Sequence, residues 1–181
     1  MGVLGFLRRR RYERTGYELY GAAVAAARDP FYYAKLGVPD TLDGRFDLVG
    51  LHAFLIIRRL RALPPPGAEL AQAVFDAMFN DMDLNLREMG VGDLAVGRRV
   101  RTMWEAFHGR AQAYQAALAE RRPEAVAEVL ARNIWPDTRP GLAAGTLARI
   151  AMAQDAHLGG QELAALRRGD VAFLPPAGVA P

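Results

Sequence analysis

The stretch Val96-Gly-Arg-Arg-Val-Arg-Thr-Met-Trp-Glu-Ala-Phe-His-Gly-Arg-Ala-Gln-Ala-Tyr-Gln-Ala-Ala-Leu118 decides the fold. Val96, Val100, Met103, Phe107, Tyr114 and Leu118 keep helical spacing along it, with Trp104 and Ala111 beside the stripe. A 3.6-residue period places those side chains on one face of a long α-helix. Upstream, Gly90-Val91-Gly92 interrupts the pattern, and Asp93 is placed to cap the helix that follows. Before that break, Glu69–Met89 reads as a second long helix. Leu70, Val74, Met78 and Met82 line one side, widened by Phe75, Phe79 and Leu86, while Asp76, Asn80, Asp83 and Arg87 share another face. Two long helices joined by a glycine-rich turn fold back as an antiparallel hairpin.

Glycines and prolines punctuate the rest. Tyr12–Ala27 reads as an alanine-rich helix ending at Asp29-Pro30, because proline disfavours helix at the residue before it. Pro30–Phe46, with Gly-Val-Pro-Asp and an Asp-Gly pair, reads as a loop with defined turns. Asp47 then caps a helix whose stripe is Leu48, Leu51, His52, Leu55 and Ile56, and Arg58, Arg59 and Arg61 complement the dipole of its last turn. Pro64 to Pro66 and Gly67 form a stiff turn, too short for an interdomain linker. Pro123 starts a helix over Glu124–Asn133, Leu142–Leu158 is another, and Gln161–Arg168 is a last short one. No strand alternation and no repeat of solenoid period accompanies them. The expected fold is a single all-α bundle of about six to seven helices around the long hairpin. The expected organisation is a basic segment over 1–11, a helical domain over 12–168 and an irregular tail over 169–181.

Composition narrows the function classes. A chain of 181 residues that is 51% hydrophobic and 24% charged has the mass and balance of one folded domain. With no cysteine, disulfides, thiolate zinc sites and cysteine nucleophiles are excluded. The net charge is +3, and Lys35 is the only lysine, so arginine carries nearly all the positive charge. No apolar run reaches the roughly 18 residues of a membrane span. Near the start, apolar residues precede the arginines, the reverse of a secretory signal, and Phe6 stands where a myristoylation motif needs Ser or Thr. The expected location is the cytoplasm. Val3, Leu4, Phe6 and Leu7 followed by Arg8, Arg9, Arg10 and Arg11 suit contact with an anionic bilayer or with ribosomal RNA phosphates; a solvated terminus fits them equally.

Catalytic patterns are incomplete. Glu105-Ala-Phe-His108 is half of the carboxylate–histidine set that holds two metals in a helical bundle, and no second Glu-x-x-His exists. Asp155 and His157 point to different sides of a helix. His52 shares an apolar stripe, as a hydrogen-bonded core histidine does. Asp81–Glu88 has the acidity of a calcium loop without its central glycine or terminal bidentate glutamate. No nucleophile elbow, P-loop or dinucleotide fingerprint is present. No catalytic residue, metal ligand or cofactor is therefore expected; a bundle metalloenzyme built on Glu105 and His108, and a membrane or ribosome adaptor, are the competing readings.

Several ordered blocks carry a resemblance. Leu36-Gly-Val-Pro-Asp-Thr-Leu-Asp-Gly-Arg-Phe46, Leu51-His-Ala-Phe-Leu-Ile-Ile-Arg-Arg-Leu60, Phe75-Asp-Ala-Met-Phe-Asn-Asp-Met-Asp-Leu-Asn-Leu-Arg-Glu-Met-Gly-Val-Gly-Asp-Leu-Ala-Val-Gly97 and Phe107-His-Gly-Arg-Ala-Gln-Ala-Tyr114 resemble the ubiquinol–cytochrome c chaperone family, over roughly residues 17–135. The resemblance implies an assembly factor for respiratory complex III that is not an enzyme and that engages newly made cytochrome b. Mitochondrial members work with a small partner protein near the ribosomal exit tunnel, and the short chain without a transit peptide looks like a bacterial relative. Peripheral contact with the inner membrane fits such a client.

Two questions stay open at this level. Met78, Met82, Met89 and Met103 either present an adaptable surface for a client or fill the core between the hairpin helices. Asp81, Asp83, Asn85, Arg87, Glu88 and Asp93 either form a docking site for client or partner, or lock the turn between the helices.

Overall fold

The computed structural model describes the backbone of residues 3–180 and the side chains of residues 12–180. Every regular element among the described residues is helical. In chain order they are α1 (Val3–Ala27), α2 (Pro30–Ala34), α3 (Leu42–Arg61), α4 (Gly67–Glu88), α5 (Asp93–Glu120), α6 (Pro123–Ile134), α7 (Leu142–Gly159), α8 (Leu163–Leu166) and α9 (Pro176–Val179). Six are long; α2, α8 and α9 have only 5, 4 and 4 residues.

The hairpin forms as its sequence dictates. Phe75 and Phe79 of α4 meet Phe107 of α5 with ring centroids 5.8 and 6.0 Å apart, a register centred on the turn at Gly90–Gly92. Edge-on and tilted aromatic pairs at such distances are favourable beyond their area burial. The centre of the molecule is α3 rather than either hairpin helix: 14 of its 20 residues are buried. α4 lies along α1 on one side. Gly16 permits that approach, since a Cβ there would stand 2.6 Å from the backbone of Ala73. α5, α6 and α7 pack in succession on the other side.

The segment 30–46 departs from the sequence reading. It is not a continuous loop: Asp29 accepts a hydrogen bond from the Phe31 N–H (2.9 Å) and starts α2, whose first residue is Pro30. α3 begins at Leu42, capped by Thr41, whose hydroxyl accepts from the Gly44 N–H (3.1 Å). Asp47, expected as that cap, lies inside the helix. It is buried and paired with Arg110 of α5 at 2.8 Å. Burial raises its pKa to about 6 despite the opposing guanidinium. Asp93, also expected as a cap, is the first residue of α5, and Gly92 holds the cap position. The helix containing Tyr12–Ala27 extends back to Val3, with no break at residue 11.

The tail over 169–181, expected to be irregular throughout, has no regular structure from Gly169 to Pro175 but ends in the short helix α9, and it is held against the bundle. Gln154 donates to the Leu174 carbonyl (2.7 Å) and accepts from the Leu174 N–H (2.9 Å). Gln161 treats Ala172 the same way, at 2.6 and 3.1 Å. The two glutamines thus pair with alternate residues of an extended strap, satisfying backbone groups that a neighbouring strand would otherwise satisfy.

Candidate functional site

Four elements surround an open groove of about 750 Å³. The last turns of α1 contribute Tyr20 and Val24, with Arg28 just beyond them, α2 contributes Tyr33, the start of α3 contributes Arg45, Phe46 and Val49, and the end of α4 contributes Asp81, Met82 and Asn85, with Met89 as its C-cap. Its walls are chiefly apolar. Its charges balance, with Arg28 and Arg45 facing Asp40 and Asp81. Arg45 and Asp40 are paired at 2.6 Å, and the Tyr20 hydroxyl donates to Asp81 at 2.7 Å. Burial, and then that hydrogen bond to a carboxylate, raises the Tyr20 pKa far above the usual tyrosine range, so it stays a donor.

The six polar residues singled out from sequence divide between two neighbouring faces. Asp81 and Asn85 line the groove, and the Asn85 amide donates to the Asp81 carbonyl at 2.7 Å. Asp83, Arg87 and Asp93 instead form a chain of ion pairs across the turn: Arg87 reaches Asp83 at 2.6 Å and Asp93 at 2.5 Å. These pairs bridge the turn between the helices, and all three residues are substantially exposed. Glu88 is exposed and belongs to neither set. Arg8, Arg9, Arg10 and Arg11 lie outside the described side chains.

The methionines divide as well. Met78 is fully buried core, Met82 sits at the groove floor 9% exposed, and Met89 is 61% exposed at the mouth. The groove residues contributed by α1 and α2 were not singled out from sequence. Asp40, Leu42, Arg45 and Phe46 fall inside the quoted Leu36–Phe46 block, which was the available signal. Tyr20, Val24 and Tyr33 had none, because a partner supplied by folding leaves no local pattern.

The residues weighed for reaction chemistry stand apart from one another among the described residues. His52 is 1% exposed. Its Nδ1–H donates to the Leu48 carbonyl (2.8 Å), which leaves Nε2 to accept from the Tyr32 hydroxyl (3.2 Å). Burial pushes its pKa down to about 4, so it is a neutral core group, closed off by Phe173. Glu105 pairs with Arg101 at 3.1 Å, while His108 bonds the Trp104 carbonyl and stacks on the Trp104 ring. Among the described residues no three His, Cys, Asp or Glu side chains come close enough to share a metal ion, so Glu105 and His108 gain no second half. No helix among the described residues is long and apolar enough to cross a membrane.

Known proteins agree with the resemblance. Residues 34–173 match the ubiquinol–cytochrome C chaperone family. The crystal structure of the Cbp3 homolog from Brucella abortus superposes with a TM-score of 0.84 at 35% identity, covering 98% of this chain and 99% of that one. A ubiquinol-cytochrome-c reductase complex assembly factor 1 from Xenopus laevis is 21% identical over 120 residues. That alignment spans 65% of this chain and 60% of the relative, so the chain matches under two thirds of the frog protein. With its fold, its signature blocks and its groove in view, the chain belongs to the ubiquinol–cytochrome c chaperone family.

Proposed function

We propose that this protein is an assembly chaperone for ubiquinol–cytochrome c reductase, that its client is cytochrome b, and that it holds an apolar segment of the client in the groove between α1, α2, α3 and α4. It acts by binding and catalyses no reaction. One observation carries the reading: blocks 36–46 and 75–97, far apart in sequence, meet on this groove. The lining suits transient grip. Met82 and Met89 are unbranched and adapt to varied shapes. Covering Met89, now 61% exposed, contributes on the order of 1 kcal/mol, enough to hold without committing. Asp81, with the Tyr20 hydroxyl on it, and Asn85 supply polar contacts at the rim, and the Asp83–Arg87–Asp93 chain keeps the α4–α5 turn in one shape beside it.

The test is a photo-crosslinker placed at Met89 in cells that assemble complex III. Cytochrome b is the expected adduct, and Met89→Lys is expected to lower complex III content. Normal complex III in a deletion strain would overturn the assignment. The arginines at 8–11 are proposed to meet the inner membrane surface, the ribosome or a small partner protein; co-sedimentation with anionic liposomes and with ribosomes, with and without residues 1–11, separates these.

A further inference from the structure

A second groove, of about 710 Å³, lies at the other end of α3 and shares no residue with the first. Its floor is Phe54 and Ile57 of α3, Phe75 of α4, and Phe107 and Ala111 of α5. Arg58, Arg59 and Arg61 lie along its α3 side, with Gln112 and Gln115 of α5 opposite.

Its electrostatics differ in kind from those of the first groove. Three guanidiniums face one carboxylate, Asp155. Arg58 is occupied by that carboxylate at 2.9 Å and by Gln115 at 2.6 Å. Arg59 spends a donor on a neutral partner, the Gln161 carbonyl at 2.7 Å, and among the described residues no carboxylate is paired with it. Arg61 is exposed, and among the described residues no carboxylate is paired with it. The apolar floor continues outward along α5. The His108 ring lies 5.4 Å from Phe75 and 3.9 Å from Trp104, and Trp104 is 43% exposed. Tryptophan and arginine together, around a pocketed apolar centre, are the residue types that dominate binding energy at protein interfaces.

We propose that this groove is a docking site for an acidic amphipathic segment of a protein partner, distinct from the client held in the first groove. Apolar side chains of the segment cover Phe75, Phe107, His108 and Trp104, while its Asp or Glu residues meet Arg59 and Arg61. Charge complementarity selects the occupant: a basic segment meets like charge along the α3 side, and a neutral apolar one leaves two cations without an anion. The rim is open, with Arg61, Gln112, Gln115 and Gly159 all exposed, which suits a length of chain lying along the groove rather than a small molecule enclosed in it. This proposal does not depend on the identity of the client.

The test uses the full chain carrying a photo-crosslinking amino acid in place of Gln112, expressed in its own cells, with the adduct's chemistry read by mass spectrometry. The expected adduct is a protein segment with apolar residues at helical spacing and net negative charge. Arg61→Glu, at an exposed position, is expected to reduce it by about tenfold, the effect of removing one well-placed charge pair and adding repulsion. Trp104→Ala should reduce it comparably, and Met89→Lys in the first groove should leave it intact. No adduct, a phospholipid adduct, a basic or neutral segment, or an adduct indifferent to Arg61→Glu each overturns the proposal.

Discussion

His52 is a stability device, and its pH dependence has a definite sign. Its pKa falls from the ordinary 6.5 to about 4 on burial, so between those values the unfolded chain binds the proton that the native state refuses. Stability from this group is therefore present above pH 6.5 and lost as pH falls towards 4. Asp47 acts oppositely. Its pKa rises from 3.8 to about 6, so the native state holds a proton more tightly, and its contribution is present below pH 3.8 and lost as pH rises through 6. The two offset one another across much of the same window. Asp47→Asn removes the opposing member, so denaturant midpoints measured from pH 6.5 to 4 should fall more steeply in that variant than in the parent. At the exposed turn the expectation is different: Arg87→Ala should barely move the unfolding midpoint, because its ion pairs sit in solvent. The same variant is expected to lower crosslinking of the proposed client at Met89, so the two measurements separate a purely stabilising role from a positioning one.

Elements meet here through a few close approaches that substitutions can probe. Gly16 lets α1 lie against α4, and Gly16→Ala drives a methyl group into the Ala73 backbone; about 1–3 kcal/mol of destabilisation is expected in urea unfolding. Phe107 joins α5 to α4 and also lies 3.6 Å from where a Cβ on Gly50 of α3 would stand. The strap is a separate case. Gln154→Ala leaves the Leu174 N–H and carbonyl without their side-chain partner, at a cost of about 1–3 kcal/mol. Hydrogen exchange should then accelerate at Ala172–Leu174 while amides in the core of α3 keep their protection, since local opening of a strap does not require global unfolding.

Across the whole molecule, α3 separates two grooves of different character. Its first half faces the charge-balanced groove with α1, α2 and the end of α4, and its second half faces the cationic groove with Phe75 of α4, α5 and α7. Variants in the two should act independently: Met89→Lys and Arg61→Glu together should change stability by the sum of the single effects to within about 0.5 kcal/mol. In cells, the first is expected to affect client capture and the second partner capture, each without the other.

Periodicity determined the α-helical class, the α4–α5 hairpin, the long helices α3, α6 and α7, and the core placement of His52. These depend on which residues share a face of a 3.6-residue turn, and that is a property of spacing alone. The resemblance blocks were equally legible, because they are strings of residue types. Tertiary structure decided what spacing does not encode. Thr41 rather than Asp47 caps α3, because Asp47 is drawn inward to Arg110 from a different helix. The tail docks through two glutamines that carry no apolar signal. Both grooves exist only where helices distant in the chain leave space between them, and there Asp81 and Asn85 parted from Asp83, Arg87 and Asp93 although all five lie within one short stretch. A side chain's neighbours along the helix follow from its register; its neighbours across an interface follow from how whole helices pack, and only the folded molecule supplies those.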